Sequence, residues 1–287
     1  MLQIIISPAK QMRCARDTFL PRGIPPFPHN TFRLFQALCS VERNEGPEGL
    51  QKLWRVNDKL LAENIDRLHE FKPVMTTADL DDPEVGRVLS PALFSYHGIQ
   101  YQSMAPGVLG FRELSWLQDH LWILSGFYGC VRPFDAVEPY RLEMAAKLSV
   151  DGARDLYAFW GTSIAQAISD ASTRNSESPG HGHQPVIVNL ASVEYAKAVL
   201  PHLPSGTQVA TCIFGEDLRN GRPVQRATAS KIARGSMVRW MAEHDVENVA
   251  QLTEFNVGYV FVPELSSDRT GRAGVTERTL VFLREGR

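Results

Sequence analysis

The apolar positions of this chain form strand-like runs near its start and again after residue 185. Leu2 to Ile6 is a largely β-branched apolar run that ends at Ser-Pro, which predicts a buried central strand. Further strands are predicted at Pro185 to Leu190, Val209 to Phe214, Pro223 to Thr228 (where apolar and polar residues alternate), Gly258 to Val262 and Leu280 to Leu283. Because strands lie near both ends of the chain, we expect the first strand to join the later sheet.

Helical spacing dominates the stretch between those strands. Apolar residues from Leu50 to Leu68 recur three and four positions apart, which predicts one long amphipathic helix or two helices that meet around Asn57 and Asp58. Asp151 to Ala171 predicts another helix, and the acidic residues around Pro83 indicate a solvated helix start. The whole pattern predicts a mixed α/β fold, with a central mixed sheet surrounded by helices in a single compact domain over residues 1–287.

The overall charge limits the classes of partner. The chain has 287 residues, of which 44% are hydrophobic and 22% are charged, and its formal net charge is −2. This balance excludes a protein whose whole surface attracts nucleic acid, so any such binding must come from a local patch. No apolar segment approaches the length of about 20 residues that a membrane-spanning helix needs. We therefore expect a cytoplasmic protein with no membrane partner.

Cysteine and histidine spacing gives no support for a metal site. The four cysteines are far apart, at Cys14, Cys39, Cys130 and Cys212, which excludes a zinc motif and a disulfide scaffold and predicts reduced thiols. A redox-sensing role for Cys130, which lies close to Arg132, stays open. Asn175 to Gln184 is of low complexity and predicts a surface loop, so His181 and His183 within it indicate a mobile segment rather than metal ligands. We expect neither a metal nor a cofactor.

The segment from Trp122 to Met144 combines apolar, aromatic and charged residues. Its first residues are predicted to lie in the interior, and Gly126 and Gly129 bracket a Phe-Tyr pair where the backbone must pass close to another group or take a positive φ. Arg141 and Glu143 follow two prolines. Apolar walls that hold a few convergent charges are typical of a small-molecule or phosphate pocket. A structural arginine–carboxylate pair would give the same pattern, so both interpretations stay open.

Six short motifs occur in order along the chain. They are ISPAK (Ile6 to Lys10), YHGIQYQSMAP (Tyr96 to Pro106), LSGFYGCVRPFDAVEPYRLEM (Leu124 to Met144), LYAFWG (Leu156 to Gly161), VNLASVEYAK (Val188 to Lys197) and KIARGSMVRWM (Lys231 to Met241). Together they resemble the YaaA family of bacterial peroxide-stress proteins, from Met1 to about Phe282. The resemblance implies a mixed α/β body of unusual topology with a positively charged cleft. His97 departs from the family pattern, which more often has an acidic or basic residue before this glycine, so its charge and role stay open.

Polar residues follow two of the predicted strands directly. Ser7 and Lys10 come after the first, and Ser192 comes after the strand that ends at Leu190. Ligands collect at the carboxyl ends of strands in open α/β sheets, and Ser192 can also cap the next helix. The recurrence of SPAK in the resembled family favours an anion site over a simple turn. We expect a ligand- or phosphate-binding set made of Ser7, Lys10, Tyr101, Arg132, Tyr140, Arg141, Asn189, Ser192 and Tyr195. We expect one cleft to bring together Lys10, Arg141, Glu143, Asn189 and Tyr195.

A basic stretch without acids runs from Arg219 to Met241. Its apolar residues define a helical stripe at Ala229, Ile232, Ala233, Met237, Trp240 and Met241. Lys231, Arg234 and Arg239 are predicted to project away from that stripe. Such a face, with a basic hairpin before it, can neutralise several DNA phosphates, although a solvated surface helix has the same pattern.

Two functions fit these features. The resemblance implies a peroxide-stress protein that binds double-stranded DNA without sequence specificity and helps keep intracellular free iron low. Asn57 to Leu68 is the nearest candidate for the helix–hairpin–helix element of the family, although Glu63 stands where a hairpin favours glycine. The alternative is an enzyme acting on a nucleotide, nucleobase or other phosphorylated small molecule. In that case Lys10 and Arg141 would hold an anion, with Glu143 or Tyr128 as the acid–base group. The sequence identifies neither a substrate nor a reaction.

Overall fold

The computed structural model describes residues 1–15, 19–174, 186–270 and 274–286. The strands are β1 (Leu2–Ile6), β2 (Gln11–Met12), β3 (Ser90–Pro91), β4 (Tyr96–His97), β5 (Leu121–Ser125), β6 (Gly129–Val131), β7 (Ala136–Val137), β8 (Val186–Leu190), β9 (Gln208–Gly215), β10 (Asp217–Arg219), β11 (Arg222–Val224), β12 (Tyr259–Phe261), β13 (Ser267–Thr270) and β14 (Thr276–Arg284). The helices are α1 (Pro28–Trp54), α2 (Asp58–Glu70), α3 (Pro83–Gly86), α4 (Ala92–Ser95), α5 (Ile99–Met104), α6 (Phe111–His120), α7 (Leu156–Trp160), α8 (Ser163–Arg174), α9 (Val193–Ala196) and α10 (Ala227–Glu243). The predicted loop Asn175 to Gln184, with both of its histidines, lies outside the described residues.

The main sheet has eight strands, and β1 lies inside it. The order is β12-β14-β9-β8-β1-β5-β6, with β13 also paired to β14. The five strands from β14 to β5 run parallel, while β6, β12 and β13 pair antiparallel with their neighbours. Strands covered on both faces require apolar residues at successive positions, and Ile4, Ile5 and Ile6 are fully buried. The predicted mixed α/β fold and the central position of the first strand are confirmed.

The later strands match their predictions except at one place. The predicted strand Pro223 to Thr228 is wrong beyond Val224, because β11 ends there and α10 begins at Ala227. β10 and β11 form the short basic hairpin that was expected before this helix. The acidic residues near Pro83 do form a solvated helix start, since the Asp82 carboxylate accepts a hydrogen bond from the Glu84 N–H at 2.8 Å.

The helices differ from the sequence prediction in how they are divided. Of the two alternatives, two helices are observed: α1 ends before Arg55, which has a φ of 51°, and the Asn57 side chain caps α2 by accepting from the Leu60 N–H at 3.0 Å. The segment Asn57 to Leu68 is therefore part of a single helix and holds no hairpin of its own. The single helix predicted over Asp151 to Ala171 is also wrong, because Gly161, with a φ of 48°, separates α7 from α8.

The segment from Trp122 to Met144 folds as predicted at its two glycines. Gly129 has a φ of 76°, in the left-handed region that favours glycine. Gly126 allows a close backbone approach, since a Cβ there would lie 2.6 Å from the Leu142 carbonyl oxygen. This approach fixes the backbone that carries Arg141 and Glu143. Among the described residues, no helix is both long and apolar enough to cross a membrane.

Candidate functional site

A cavity of about 480 Å³ opens where β1 and β8 end. These strands are parallel neighbours, so the residues that follow them emerge at the same edge of the sheet. The cavity is lined by Ser7, Pro8, Ala9, Lys10, Gln11, His97, Gly98, Ile99, Gln100, Tyr101, Tyr140, Arg141, Leu142, Glu143, Ser192, Glu194, Tyr195, Lys231 and Arg234. Residues separated by more than 200 positions in the chain therefore share one site.

Ser7 ties the two strand ends together. Its hydroxyl oxygen accepts a hydrogen bond from the Ser192 N–H at 2.8 Å, and the hydroxyl donates to the Ser192 Oγ at 3.1 Å. The Tyr101 hydroxyl donates to the Ser7 carbonyl at 3.0 Å. Ser192 is at the N-cap position of α9, but its side chain makes no capping hydrogen bond. The predicted capping role is therefore wrong, because the Ser192 side chain is engaged with Ser7 instead.

Lys10, Glu143 and Arg141 form a linked ion group. One Glu143 carboxylate oxygen lies 3.1 Å from the Lys10 Nζ and 2.7 Å from an Arg141 terminal nitrogen. The Arg141 side chain is only 11% exposed, and its guanidinium also donates to the carbonyls of Lys10 (3.3 Å) and Trp54 (3.5 Å). Its Nε is buried and has no hydrogen-bond partner. Glu143 thus supplies the counter-charge that an arginine at this depth requires.

Helix α10 brings two more cations to the same cavity. Gly235 allows α10 to pack against α5, because a Cβ at this position would overlap the Gln100 carbonyl oxygen. Lys231 is exposed and Arg234 is partly buried, and both line the cavity. Burial lowers the pKa of the Arg234 guanidinium, and the nearby Cys212 thiol opposes that shift. Among the described residues, neither Lys231 nor Arg234 has a carboxylate within salt-bridge distance.

Three tyrosines complete the wall as neutral hydrogen-bonding groups. Tyr101, Tyr140 and Tyr195 line the cavity, and the Tyr140 hydroxyl lies 2.7 Å from the Ser125 Oγ and 3.1 Å from the Tyr96 hydroxyl. Burial raises the pKa of Tyr140 to about 12 and the pKa values of Tyr101 and Tyr195 well above their ordinary value. These hydroxyls therefore stay protonated at neutral pH.

Comparison with known proteins places the chain in a family. The family model for peroxide stress protein YaaA matches residues 2–265. The chain belongs to the YaaA family. A UPF0246 protein of Limosilactobacillus fermentum is 40% identical over 269 residues, covering 93% of this chain and 97% of that protein. A UPF0246 protein of Pediococcus pentosaceus is 38% identical over 267 residues (93% and 95%), and one of Lachnoclostridium phytofermentans is 37% identical over 285 residues (99% and 96%).

The structure of this YaaA-family protein gathers most of the predicted ligand-binding set in the cavity. Seven of those nine residues line it: Ser7, Lys10, Tyr101, Tyr140, Arg141, Ser192 and Tyr195. Asn189 lies outside the lining, where its side chain accepts from the Ala191 N–H at 3.0 Å and donates to the Thr211 hydroxyl at 3.3 Å. Arg132 also lies outside, with its guanidinium 4.2 Å from the Trp122 ring centroid. Of the five residues expected to converge on one cleft, only Asn189 lies apart.

Tyr128 and Arg239 are likewise placed away from the cavity. The Tyr128 hydroxyl accepts from the Glu138 N–H at 3.0 Å, and the residue lines a separate small pocket. Burial raises its pKa well above the ordinary value. Arg239 pairs with Glu243 one turn further along α10, at 2.7 Å. Tyr128 and Arg239 therefore both lie outside the cavity lining, and Arg239, unlike Lys231, has a carboxylate at salt-bridge distance.

The predicted apolar stripe of α10 is confirmed at Ala233, Met237, Trp240 and Met241 but is wrong at Ile232. Ile232, placed on that stripe, is 44% exposed. The buried side instead includes Ser230, Gly235 and Val238, in addition to Met237 and Trp240. Small and polar residues are buried here because α5 approaches closely. The spacing of hydrophobic residues in the sequence does not predict that such positions are buried.

Gln100 and Glu194 are among the polar residues of the cavity that sequence reasoning missed. Gln100 is 6% exposed, and its amide nitrogen is buried without a partner. Glu194 accepts a hydrogen bond from the Ala145 N–H at 3.0 Å. Both residues lie within motifs that carried the family resemblance, and that location was the only available signal. Neither could be distinguished there from ordinary helix residues.

The buried cysteine gives no support for redox sensing. Cys130 is fully buried, and burial raises the pKa of its thiol, although Arg132 opposes the shift. A thiolate is the reactive form of cysteine, so a thiol in this environment is inert. No group of three or more His, Cys, Asp or Glu side chains among residues 1–15, 19–174, 186–270 and 274–286 is arranged to hold a metal.

Two buried carboxyl groups predict a loss of stability at high pH. Burial raises the pKa of Asp135 to about 7 and that of Glu138 to about 8. Between their ordinary pKa values and these raised ones, the folded chain retains protons that the unfolded chain has released. The free energy of unfolding should therefore fall as pH rises from about 4 to about 8. Each carboxyl group contributes about 1.4 kcal/mol to this loss for every pKa unit that separates its folded and unfolded states.

Urea unfolding at several pH values between 5 and 9 measures this loss. The amide variants Asp135→Asn and Glu138→Gln remove one titrating group each, so each should flatten the pH profile. Burial lowers the pKa of His120, which acts in the opposite direction near pH 6 but is present in every variant. A profile that is equally steep in wild type and Glu138→Gln would contradict the assignment of Glu138.

Proposed function

We propose that this YaaA-family protein acts in the peroxide-stress response by binding double-stranded DNA through basic residues at and around the cavity, without reading the base sequence. The supporting observation is that Lys231 and Arg234 lack carboxylate partners among the described residues, while the neighbouring hairpin exposes Arg219 and Arg222. Free basic side chains that follow one surface neutralise backbone phosphates and release counterions. Such contacts position a protein on DNA without specifying a sequence.

Only part of the basic stretch is available for this role. Arg226 pairs with Glu216 at 3.0 Å, and Arg239 pairs with Glu243. The DNA-binding set that we propose is therefore Lys231 and Arg234 together with the tip of the hairpin. A role in lowering intracellular free iron is proposed from family membership alone, because the described side chains form no metal-binding group.

The salt dependence of DNA binding tests this proposal. The double variant Lys231→Gln/Arg234→Gln should bind every duplex more weakly, and the slope of log affinity against log salt should flatten by about two units, at about 0.9 per lost phosphate contact. Arg239→Gln is the matched control on the same helix and should leave the slope unchanged. Fluorescence anisotropy with two unrelated duplexes at several salt concentrations gives both quantities.

Thermal unfolding separates lost contacts from lost structure in this experiment. Arg234 is partly buried, so the double variant could lose stability. The single variant Lys231→Gln alters an exposed side chain and should alone reduce the slope by about one unit. If the folded double variant and Arg239→Gln both keep the wild-type slope, the α10 residues do not contact DNA phosphates.

A second candidate is binding of, or catalysis on, a phosphorylated small molecule such as a nucleotide. The cavity volume of about 480 Å³ suits a small ligand, and Arg141 is recessed below the surface. In an enzyme of this kind Lys10 and Arg141 would orient the ligand, and Glu143, which lies within hydrogen-bonding distance of both, would transfer protons. Screening phosphorylated compounds by thermal shift tests this candidate, since a bound ligand raises the unfolding temperature.

A further inference from the structure

The four lysine and arginine side chains of the cavity fall into two pairs with different counter-charges. Lys10 and Arg141 share the Glu143 carboxylate at 3.1 and 2.7 Å. Lys231 and Arg234, on α10, have no carboxylate at salt-bridge distance among the described residues. Glu194 is the other carboxylate in the lining, and it is bonded to the Ala145 N–H. Four basic groups and two carboxylates therefore leave an excess of two positive charges in the cavity, and the α10 pair lacks a partner.

Three residues of the cavity lining carry a buried donor nitrogen without an acceptor. These nitrogens are the Nε of Arg141, the Nε of Arg234 and the side-chain nitrogen of Gln100. Buried donors are nearly always paired in folded proteins, because an unpaired one has lost its hydrogen bonds to water without replacement. The backbone of Gln100 is held against α10 at Gly235, on the helix that carries Arg234. These nitrogens are covered by protein atoms, so a ligand in the cavity would meet the charged ends of the lining side chains instead.

We propose that the cavity binds a small organic phosphomonoester, with the phosphate on Lys231 and Arg234 and a neutral polar end at Glu143, Arg141 and Lys10. The proposal rests on the second candidate function, binding of a phosphorylated small molecule, and specifies its ligand. A phosphomonoester carries a charge of about −1.5 to −2 at neutral pH, which matches the excess charge of the lining. A hydroxyl-bearing end can donate to Glu143 and accept from the Lys10 ammonium, which is exposed.

Glu143 explains why the ligand should carry only one phosphate. A second anionic group would have to displace this carboxylate from Lys10 and Arg141, or lie against it at close range. The backbone around Glu143 cannot retreat easily, because Gly126 packs directly on the segment from Leu142 to Met144. The Glu143 carboxylate therefore repels a second anionic group and selects against ligands that are negatively charged at both ends.

The first experiment locates the phosphate with inorganic phosphate as the probe. Isothermal titration of wild type should show binding that Lys231→Gln weakens by about tenfold, as expected for the loss of one charge-assisted contact. Arg239→Gln, on the same helix but outside the cavity, should bind as wild type does. Glu143→Gln should change the affinity less than Lys231→Gln and in the opposite direction. If Glu143→Gln tightens binding by tenfold or more while Lys231→Gln has no effect, the phosphate lies on Lys10 and Arg141 and the proposal is wrong.

The second experiment compares ribose 5-phosphate with ribose 1,5-bisphosphate. Wild type should bind the bisphosphate no more tightly than the monophosphate, whereas Glu143→Gln should prefer the bisphosphate by about tenfold, since Lys10 and Arg141 are then free for a second phosphate. Glutamine keeps the shape of the side chain, and a melting curve checks that the variant is folded. The same preference in wild type and Glu143→Gln would overturn the role of Glu143.

The outcomes also distinguish failure of the single-phosphate ligand from failure of the small-ligand function. Binding of inorganic phosphate without the predicted Glu143 effect would leave the small-ligand function standing and reject the single-phosphate ligand. Absence of binding by inorganic phosphate and by both sugar phosphates would reject the inference together with the small-ligand function. Duplex DNA binding is measured independently, so it can fail or succeed without altering either result.

Discussion

Replacing Gly235 by alanine should destabilise the protein by about 3 kcal/mol or more. A Cβ at this position would overlap the Gln100 carbonyl oxygen and approach the Met104 nitrogen to 3.1 Å, and both are backbone atoms. The helices α10 and α5 must therefore separate, and overpacking of this kind costs about 1–3 kcal/mol or more. In the absence of a clash, alanine would stabilise a helix by about 1 kcal/mol relative to glycine. The sign of the effect is therefore diagnostic.

Chemical unfolding of Gly235→Ala beside Gly86→Ala measures this effect. Gly86 also lies in a helix, but no atom lies within 4 Å of a Cβ built there, so its substitution should leave the free energy of unfolding unchanged or raise it by up to about 1 kcal/mol. Separation of α5 from α10 should also weaken phosphate binding, because Gln100 and Arg234 lie on these helices. A Gly235→Ala variant as stable as wild type would show that the helices do not pack at this distance.

Deleting residues 1–7 should abolish the folded state. β1 pairs with β5 on one side and with β8 on the other, so its removal divides the parallel part of the sheet into two pieces. The newly exposed edges of β5 and β8 would present unpaired backbone groups and apolar side chains, which favour aggregation. Expression of the truncated chain should give insoluble protein, whereas a soluble product with a cooperative unfolding transition would contradict the central role of β1.

Two single substitutions test the importance of β1 without deleting the strand. Ile5→Ala removes a fully buried side chain of β1 and should lower the free energy of unfolding by about 2–5 kcal/mol. Ile232→Ala removes a side chain that is 44% exposed on α10 and should cost much less. Equal losses for both variants would indicate that burial in β1 does not control stability.

The strands could be predicted well because their apolar runs are local signals. A parallel strand buried on both faces requires apolar residues at successive positions, and Leu2–Ile6 has this composition except at Gln3. Helix boundaries were harder to predict from the sequence. The break at Gly161 depends on a positive φ, and the short β11 ends where α10 begins, so both depend on backbone geometry that apolar spacing does not report.

The site was predicted in part because strand ends collect functional groups. Ser7, Lys10 and Arg141 were placed in one cavity by that rule and by the family motifs. Asn189 follows a strand as well, yet its side chain is used to bond the Ala191 N–H and the Thr211 hydroxyl. Arg239 was predicted with Lys231 because both are basic residues on one helix. The two differ in the structure, because Arg239 has a carboxylate partner four residues away, Glu243, and lies outside the cavity lining.

The sequence by itself determined the family, the mixed α/β class and the central position of the first strand, because these depend on motifs and on local apolar patterns. Only the tertiary structure decided which charges share a cavity and which are already neutralised. Lys10 meets Arg141, which is 131 positions away in the chain, and both share the Glu143 carboxylate. The closeness of Gln100 to α10 depends on the contact at Gly235. Electrostatic interactions act through space, so their sum at one site follows from packing, which the order of residues along the chain does not specify.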